Sequence, residues 1–289
     1  MARWPRVGAT VAGGVAAGTV AAVALGATIW NRETARAVGR LGPRAWLRYG
    51  VTGPTRFSPA QLDGVPAPVA RYFAFALAPG QPLVRRARVR HAGLFATKPD
   101  TWRPFTSVEH FATEPPGFVW DARIRLAPLV TVRVRDSYLR GDGAMQASAA
   151  GLVPVADQGG TREMAEASLQ RYLAEAPWVP TALLPSAGVA WTPIDDATAW
   201  ATLADHGVTA SVEFRFGASG EIVRSCAVRY RDVNGVPVPT PWLGRYGDYA
   251  RVDGMMIPRS GEVEWVLPDG SRLPYWRGRI TGVEYDLAR

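Results

Sequence analysis

Residues 118–126 read FVWDARIRL, so Phe118, Trp120, Ala122, Ile124 and Leu126 fall on one parity and Asp121, Arg123 and Arg125 on the other. An extended strand sends alternate side chains to opposite faces, so one face here is apolar and the other charged. The pattern recurs: Val130, Val132 and Val134 oppose Thr131, Arg133 and Arg135, and Ala210, Val212, Phe214 and Phe216 oppose Glu213 and Arg215. Such strands make an antiparallel sheet wetted on one side. A chain built from them has to cover the apolar face with helices, or curl around its own contents.

Period-two stretches run over 84–95, 105–113, 118–127, 129–141, 197–203, 209–217, 221–233, 262–267 and 274–286. Pro-Pro-Gly at 115–117, Gly-Asp-Gly at 141–143, Ser-Gly at 219–220 and Pro-Asp-Gly at 268–270 mark reversals between them. Strands and helices do not alternate, which argues against a parallel nucleotide-binding sheet. The expected fold is mainly β with a few helices. It is a single curved, half-barrel-like antiparallel meander of nine or ten strands over 65–289, with a helical insertion at 161–185. Two half-sheets divided near residue 160 are the alternative. Arg86, Arg88, Arg90, Arg123, Arg125, Arg133 and Arg135 are assigned to the outer face. They form either a solvated surface partly neutralised by Glu109, Asp121 and Asp136, or an anion-facing patch.

The net charge of +8 and pI near 10 suggest nucleic acid until the charge is located. Residues 1–50 hold seven arginines against Glu33, a net +6, and the remainder carries only +2. The basicity is therefore not spread over a nucleic-acid-binding domain. Residues 7–31 carry no charge between the basic flank 1–6 and Arg32, and that length exceeds the roughly 20 residues a bilayer crossing needs. The reading is a transmembrane helix, retained as a signal-anchor, with Trp30 at the interface. Arg32, Arg36, Arg40, Arg44 and Arg48 follow in a basic juxtamembrane segment and linker, 32–64, facing anionic lipid head groups. This places the chain at the inner cell membrane as a single-pass protein. Five arginines after the span and the basic start before it argue for opposite orientations, so the side stays open.

Catalytic signatures are absent: no Gly-x-Ser-x-Gly, no Gly-rich phosphate loop, no His-Glu-x-x-His and no Cys-x-x-Cys. The single cysteine, Cys226, allows no intrachain disulfide, and shared parity with Ile222 makes it a packing residue. His91, His110 and His206 lack ligand spacing, so no metal or cofactor is expected. Glu109 and His110, neighbours on one strand, point to opposite faces.

The best polar cluster lies near QRYLAEAPWVPTALLP, residues 170–185. Thr161 caps a helix reaching Ala176, with Ala165, Leu169, Tyr172, Leu173 and Ala176 as its buried stripe. Arg171 and Glu175, four apart, read as a pair on the wet face, and Pro177 ends the helix. Arg171, Glu175 and Asp196 are the candidates for acid–base chemistry. Tyr172, Trp178, Leu183, Leu184, Trp120 and Trp191 are the candidates for lining an apolar ligand site. The segment fits a lid dipping into the sheet better than a plain linker.

The runs RYLAEAPWVPTALLP and GVAWTPIDDATAWATL, with PAPVARYF, PPGFVWDARIRLAP and LPYWRGRITGVEY, resemble an uncharacterised bacterial family of unknown function over roughly 65–286. That resemblance implies no activity. The meander with a helical insertion is also similar to the curved sheets of lipoprotein carriers, a likeness of architecture only. The leading expectation is a membrane-anchored protein holding a lipid or other apolar ligand. A hydrolase-like or isomerase-like enzyme using carboxylates near 163–196, and a membrane-tethered interaction scaffold, are the alternatives.

Overall fold

A computed structural model describes residues 7–42, 54–128 and 130–288, with side chains from residue 22 onward. Thirteen antiparallel strands form one sheet: β1 (Val84–Lys98), β2 (Thr101–Thr113), β3 (Pro116–Ala127), β4 (Val130–Leu139), β5 (Asp142–Ala149), β6 (Val153–Gly159), β7 (Ala190–Asp195), β8 (Thr198–Asp205), β9 (Val208–Phe216), β10 (Ile222–Val233), β11 (Val236–Val252), β12 (Met255–Val266) and β13 (Arg272–Leu287). Their order in space is β6-β5-β4-β3-β2-β1-β13-β12-β11-β10-β9-β8-β7. Two meanders do divide near residue 160, but the long β1–β13 pairing fuses them into a single curved sheet.

Among the described residues three α-helices, α1 (Val7–Arg40), α2 (Ala67–Ala76) and α3 (Arg162–Glu175), and four short 3-10 helices complete the structure. The Thr161 hydroxyl caps α3 by accepting from the Met164 amide at 3.1 Å. This helix links edge strand β6 to the turns before the opposite edge strand, β7, and lies along the concave face against strands from β3 to β10. Because the sheet wraps it, Ala165, Ala167, Ser168, Leu169, Gln170, Tyr172, Leu173 and Ala174 are all buried. Close seating depends on Gly143 of β5. A Cβ there would lie 2.6 Å from the Met164 carbonyl oxygen and 2.9 Å from the Ala165 Cα.

Four strands escape the period-two expectation. β5, β6 and β7 are short and lie at or beside the sheet edges, with few large apolar residues. β11 contains Pro237, Pro239 and Pro241. Their missing amide donors all point the same way, toward the side where β12 begins to pair only at Trp242.

At the N-terminus the expected membrane span is not shown, and the readings of Trp30 and of two outer-face arginines need correction. α1 is longer than a bilayer span, yet among the described residues no helix is long and apolar enough to cross a membrane. Alanine and glycine supply most of its apolarity, and they supply little. Trp30 is not an interfacial aromatic: it is 4% exposed, and its indole donates to Asp121 at 2.7 Å. The C-terminal part of α1 lies on the outer face of β2, β3 and β4, where Ala37, with Leu41 just beyond the helix, packs on Ala112 of β2 and Val119 of β3. It also covers two of the arginines assigned to a solvated surface. Arg133 donates to Asn31, and Arg135 binds Glu33 and Thr34 beneath the Trp30 ring. Arg44 and Arg48 lie outside the described residues.

Candidate functional site: an apolar cavity over a buried charge cluster

The trough of the sheet is filled differently at its two ends. At one end Tyr72, Phe73, Leu169, Leu173, Phe214 and Ile222 close into a solid core with at most 1% exposure. At the other a cavity of about 640 Å³ remains. Trp120, Ile124 and Val134 form one wall, and Trp242, Tyr275 and Trp276 the facing one. The last turn of α3 and the turn after it make the floor, with Arg171, Ala174, Glu175 and Trp178.

Arg171 and Glu175 are not the wet-face pair expected from their spacing. Each side chain is only 16% exposed. The concave sheet covers the side of α3 that would otherwise meet solvent. The Arg171 guanidinium donates through Nε to Glu175 at 2.9 Å and through Nη1 to Asp136 at 2.5 Å, and it lies over the Phe118 and Trp120 rings. Burial alone would lower the proton affinity of Arg171, but Glu175, Asp136 and Glu109 together raise it, so it stays charged.

Two members of this cluster, Glu109 and Asp136, had been assigned to the outer face. Parity was the available signal. Glu109 shares the face of Phe105, Ser107 and Phe111, and Asp136 that of Val132 and Val134. Glu109 is completely buried. As a carboxylate, neither of its oxygens has a donor to accept from. Burial first, and then the neighbouring charge of Glu175, push its pKa well above the carboxylate range against the pull of Arg171. The protonated carboxyl has one hydrogen to donate to Glu175, which gives one of its two oxygens a partner.

His91, beside this group, is 2% exposed and packs against Trp178 with ring centres 4.6 Å apart and the planes tilted by 47°. Burial, and then Arg171, lower its pKa to about 3, so the imidazole is neutral. Its Nδ1 meets the Ser107 hydroxyl at 3.3 Å. Among the described residues no group of His, Cys, Asp and Glu has the arrangement of a metal site.

The remaining candidates divide. Trp120 and Trp178 line the cavity. Tyr172 is sealed in the core, stacked on Phe111 at 4.4 Å, and Leu183 and Leu184 are fully buried there. Trp191 packs among Phe73, Phe214 and Phe216, with its indole donating to the Leu183 carbonyl. Asp196 is exposed in the β7–β8 turn, where its carbonyl accepts from Arg71, and it does not line the cavity with Glu175. Cys226 is half-buried, not a core residue, because a bulge between Ile222 and Arg224 flips parity and turns Ser225 and Ala227 inward. The bulge also brings Arg229 onto the cavity wall, a residue whose spacing alone gave no such sign.

Chemically, this is a largely apolar chamber with a charged cluster in its floor and Arg229, Arg245 and Glu262 on its walls. A guest meets Arg171 and Glu175 but not Glu109, whose protonated carboxyl lies behind the lining. A curved antiparallel sheet around a chamber of this size leaves room for a guest molecule between its limbs.

The chain belongs to a family of unknown function, DUF6920, whose model matches residues 63–285. No curated protein matches it. Among solved structures, a LolA superfamily protein (NE2245) from Nitrosomonas europaea is 13% identical with a TM-score of 0.40, covering 76% of this chain and 94% of that one. A beta-barrel-like protein of domain of unknown function DUF1849 from Brucella abortus is 10% identical with a TM-score of 0.26, covering 71% and 98%. Neither likeness bears on what this chain binds.

Proposed function

We propose that this protein holds an apolar, lipid-like ligand in the cavity between the limbs of its curved sheet. The observation that carries the reading is the uneven filling of one trough, solid core at one end and about 640 Å³ of tryptophan-lined space at the other. Protein interiors close voids larger than a water molecule, whereas ligand pockets run from roughly 300 to 1,000 Å³. The 289-residue chain is expected to displace a fluorescent fatty-acid probe from solution and to retain lipid in native mass spectrometry. Ala147→Trp adds bulk on the cavity wall at β5 and is expected to weaken probe binding at least about tenfold with the circular dichroism unchanged. A wild-type chain that neither binds the probe nor retains lipid would refute the reading.

Its site of action, in the same proposal, is a membrane surface. The support is the uncharged run 7–31 and the exposure of Arg32, Arg36 and Arg40 on α1. Each basic residue near an anionic surface contributes about 1 kcal/mol. Reversing all three to Glu is expected to abolish flotation with vesicles containing phosphatidylglycerol. Equal flotation of both chains would rule out the arginine contact.

A further inference from the structure

Three arginines line the cavity, and two are spoken for. Arg171 binds Asp136 and Glu175, and Arg245 binds Glu264 at 2.8 Å with Glu262 beside it. Arg229, on β10, has no carboxylate within ion-pair distance among the described residues. It is held by other means. Its Nη2 donates to the Ala167 carbonyl of α3 at 2.9 Å, and the guanidinium lies 4.9 Å from the Trp242 ring centre and 5.9 Å from that of Trp265. The Arg229 Nε is buried without a partner, as is the indole Nε1 of Trp178, another residue of the same lining.

A buried donor without an acceptor costs free energy, and a cation among aromatic rings has lost much of its water. A fixed, planar guanidinium matches an anion with two oxygens, which it can take bidentately. Resting on the apolar-ligand reading above, we infer that Arg229 is the receptor for an anionic head group, and that the ligand is an acyl chain ending in a carboxylate or phosphate. The tail occupies the tryptophan-lined chamber and the head completes the Arg229 donor set. The three arginines of the lining are matched in number by Asp136, Glu175 and Glu262, but those carboxylates lie against Arg171 and Arg245, which leaves Arg229 as the lining arginine without one.

The test compares three ligands of equal chain length on the 289-residue chain at pH 8: palmitate, 1-palmitoyl lysophosphatidic acid and hexadecanol. Wild type is expected to bind at least one anion about tenfold or more tighter than the alcohol. Arg229→Gln is expected to erase that preference while leaving hexadecanol affinity within about threefold, and Arg229→Lys to keep part of it. The tighter of the two anions assigns the head as carboxylate or phosphate. Hexadecanol binding as tightly as both anions overturns this inference alone, and needs no variant. An anion preference that survives in Arg229→Gln also overturns it. Binding of none of the three overturns this inference and the apolar-ligand reading together.

Discussion

Arg171→Met is expected to destabilise the fold by about 3–5 kcal/mol, the cost of leaving buried charges without their partner. Arg171 is the shared cation of a cluster that otherwise holds Asp136, Glu175 and Glu109. Methionine fills much of the same space over Phe118 and Trp120, so a packing defect is a minor part of the loss. For a domain stable by about 5–15 kcal/mol this is a large fraction of the total. The urea midpoint should move sharply with little change in slope. Replacing the stranded carboxylates as well, in Arg171→Met/Asp136→Asn/Glu175→Gln, should recover most of the loss, because the penalty is an unpaired charge and not a missing bond. If the single variant costs less than about 1 kcal/mol, or the triple variant is no better, the cluster is not the buried electrostatic unit described here.

The same cluster marks where the fold was legible and where it was not. Alternation in 118–126 and 209–216 reports correctly which residues face the trough, because in both segments the pleat runs without interruption. Glu109 and Asp136 obey the same alternation, yet charge alone had sent them outward. Parity outranks residue type when a strand is regular, and a carboxyl on the apolar parity is itself a sign of a buried polar site. Alternation fails where the pleat is broken. One bulge at 222–224 turns Arg229 into the cavity and Cys226 away from the core, and a bulge has no signature in a run without Gly or Pro. α3 shows a different limit. Its spacing identifies a buried stripe, but whether the opposite face is wet depends on the sheet curling around it. The Arg171–Glu175 pair is solvated on a flat sheet and buried on a curved one. Composition misleads at the N-terminus in the same way, since α1 carries Trp30 and Ala37 as core residues of the outer face.

The contributions of Glu109 and His91 to stability should run in opposite directions with pH. Glu109 has a folded-state pKa well above 4.5, so between those values the folded chain binds more protons than the unfolded one. Its contribution is complete below about 4.5 and is lost as pH rises through the folded value. His91 runs the other way. With a folded pKa of about 3 against 6.5, its contribution is complete above 6.5 and is lost as pH falls toward 3. Each proton contributes at most about 1.4 kcal/mol per pH unit. The groups facing Glu109 are Arg171 and Glu175 from α3 and Asp136 from β4, and Arg171 is the charge facing His91. Glu109→Gln keeps a neutral donor beside Glu175 and should remove this loss, gaining on wild type by up to about 1.4 kcal/mol per unit as pH rises from about 4.5. His91→Phe keeps the contact with Trp178 and should flatten the acid limb in part, other carboxylates supplying the rest. Urea unfolding from pH 4 to 9 reads both. A Glu109→Gln profile parallel to wild type throughout the range above about pH 4.5 would mean that the Glu109 pKa is not raised in the fold, and the buried proton beneath the cavity floor would have to be abandoned.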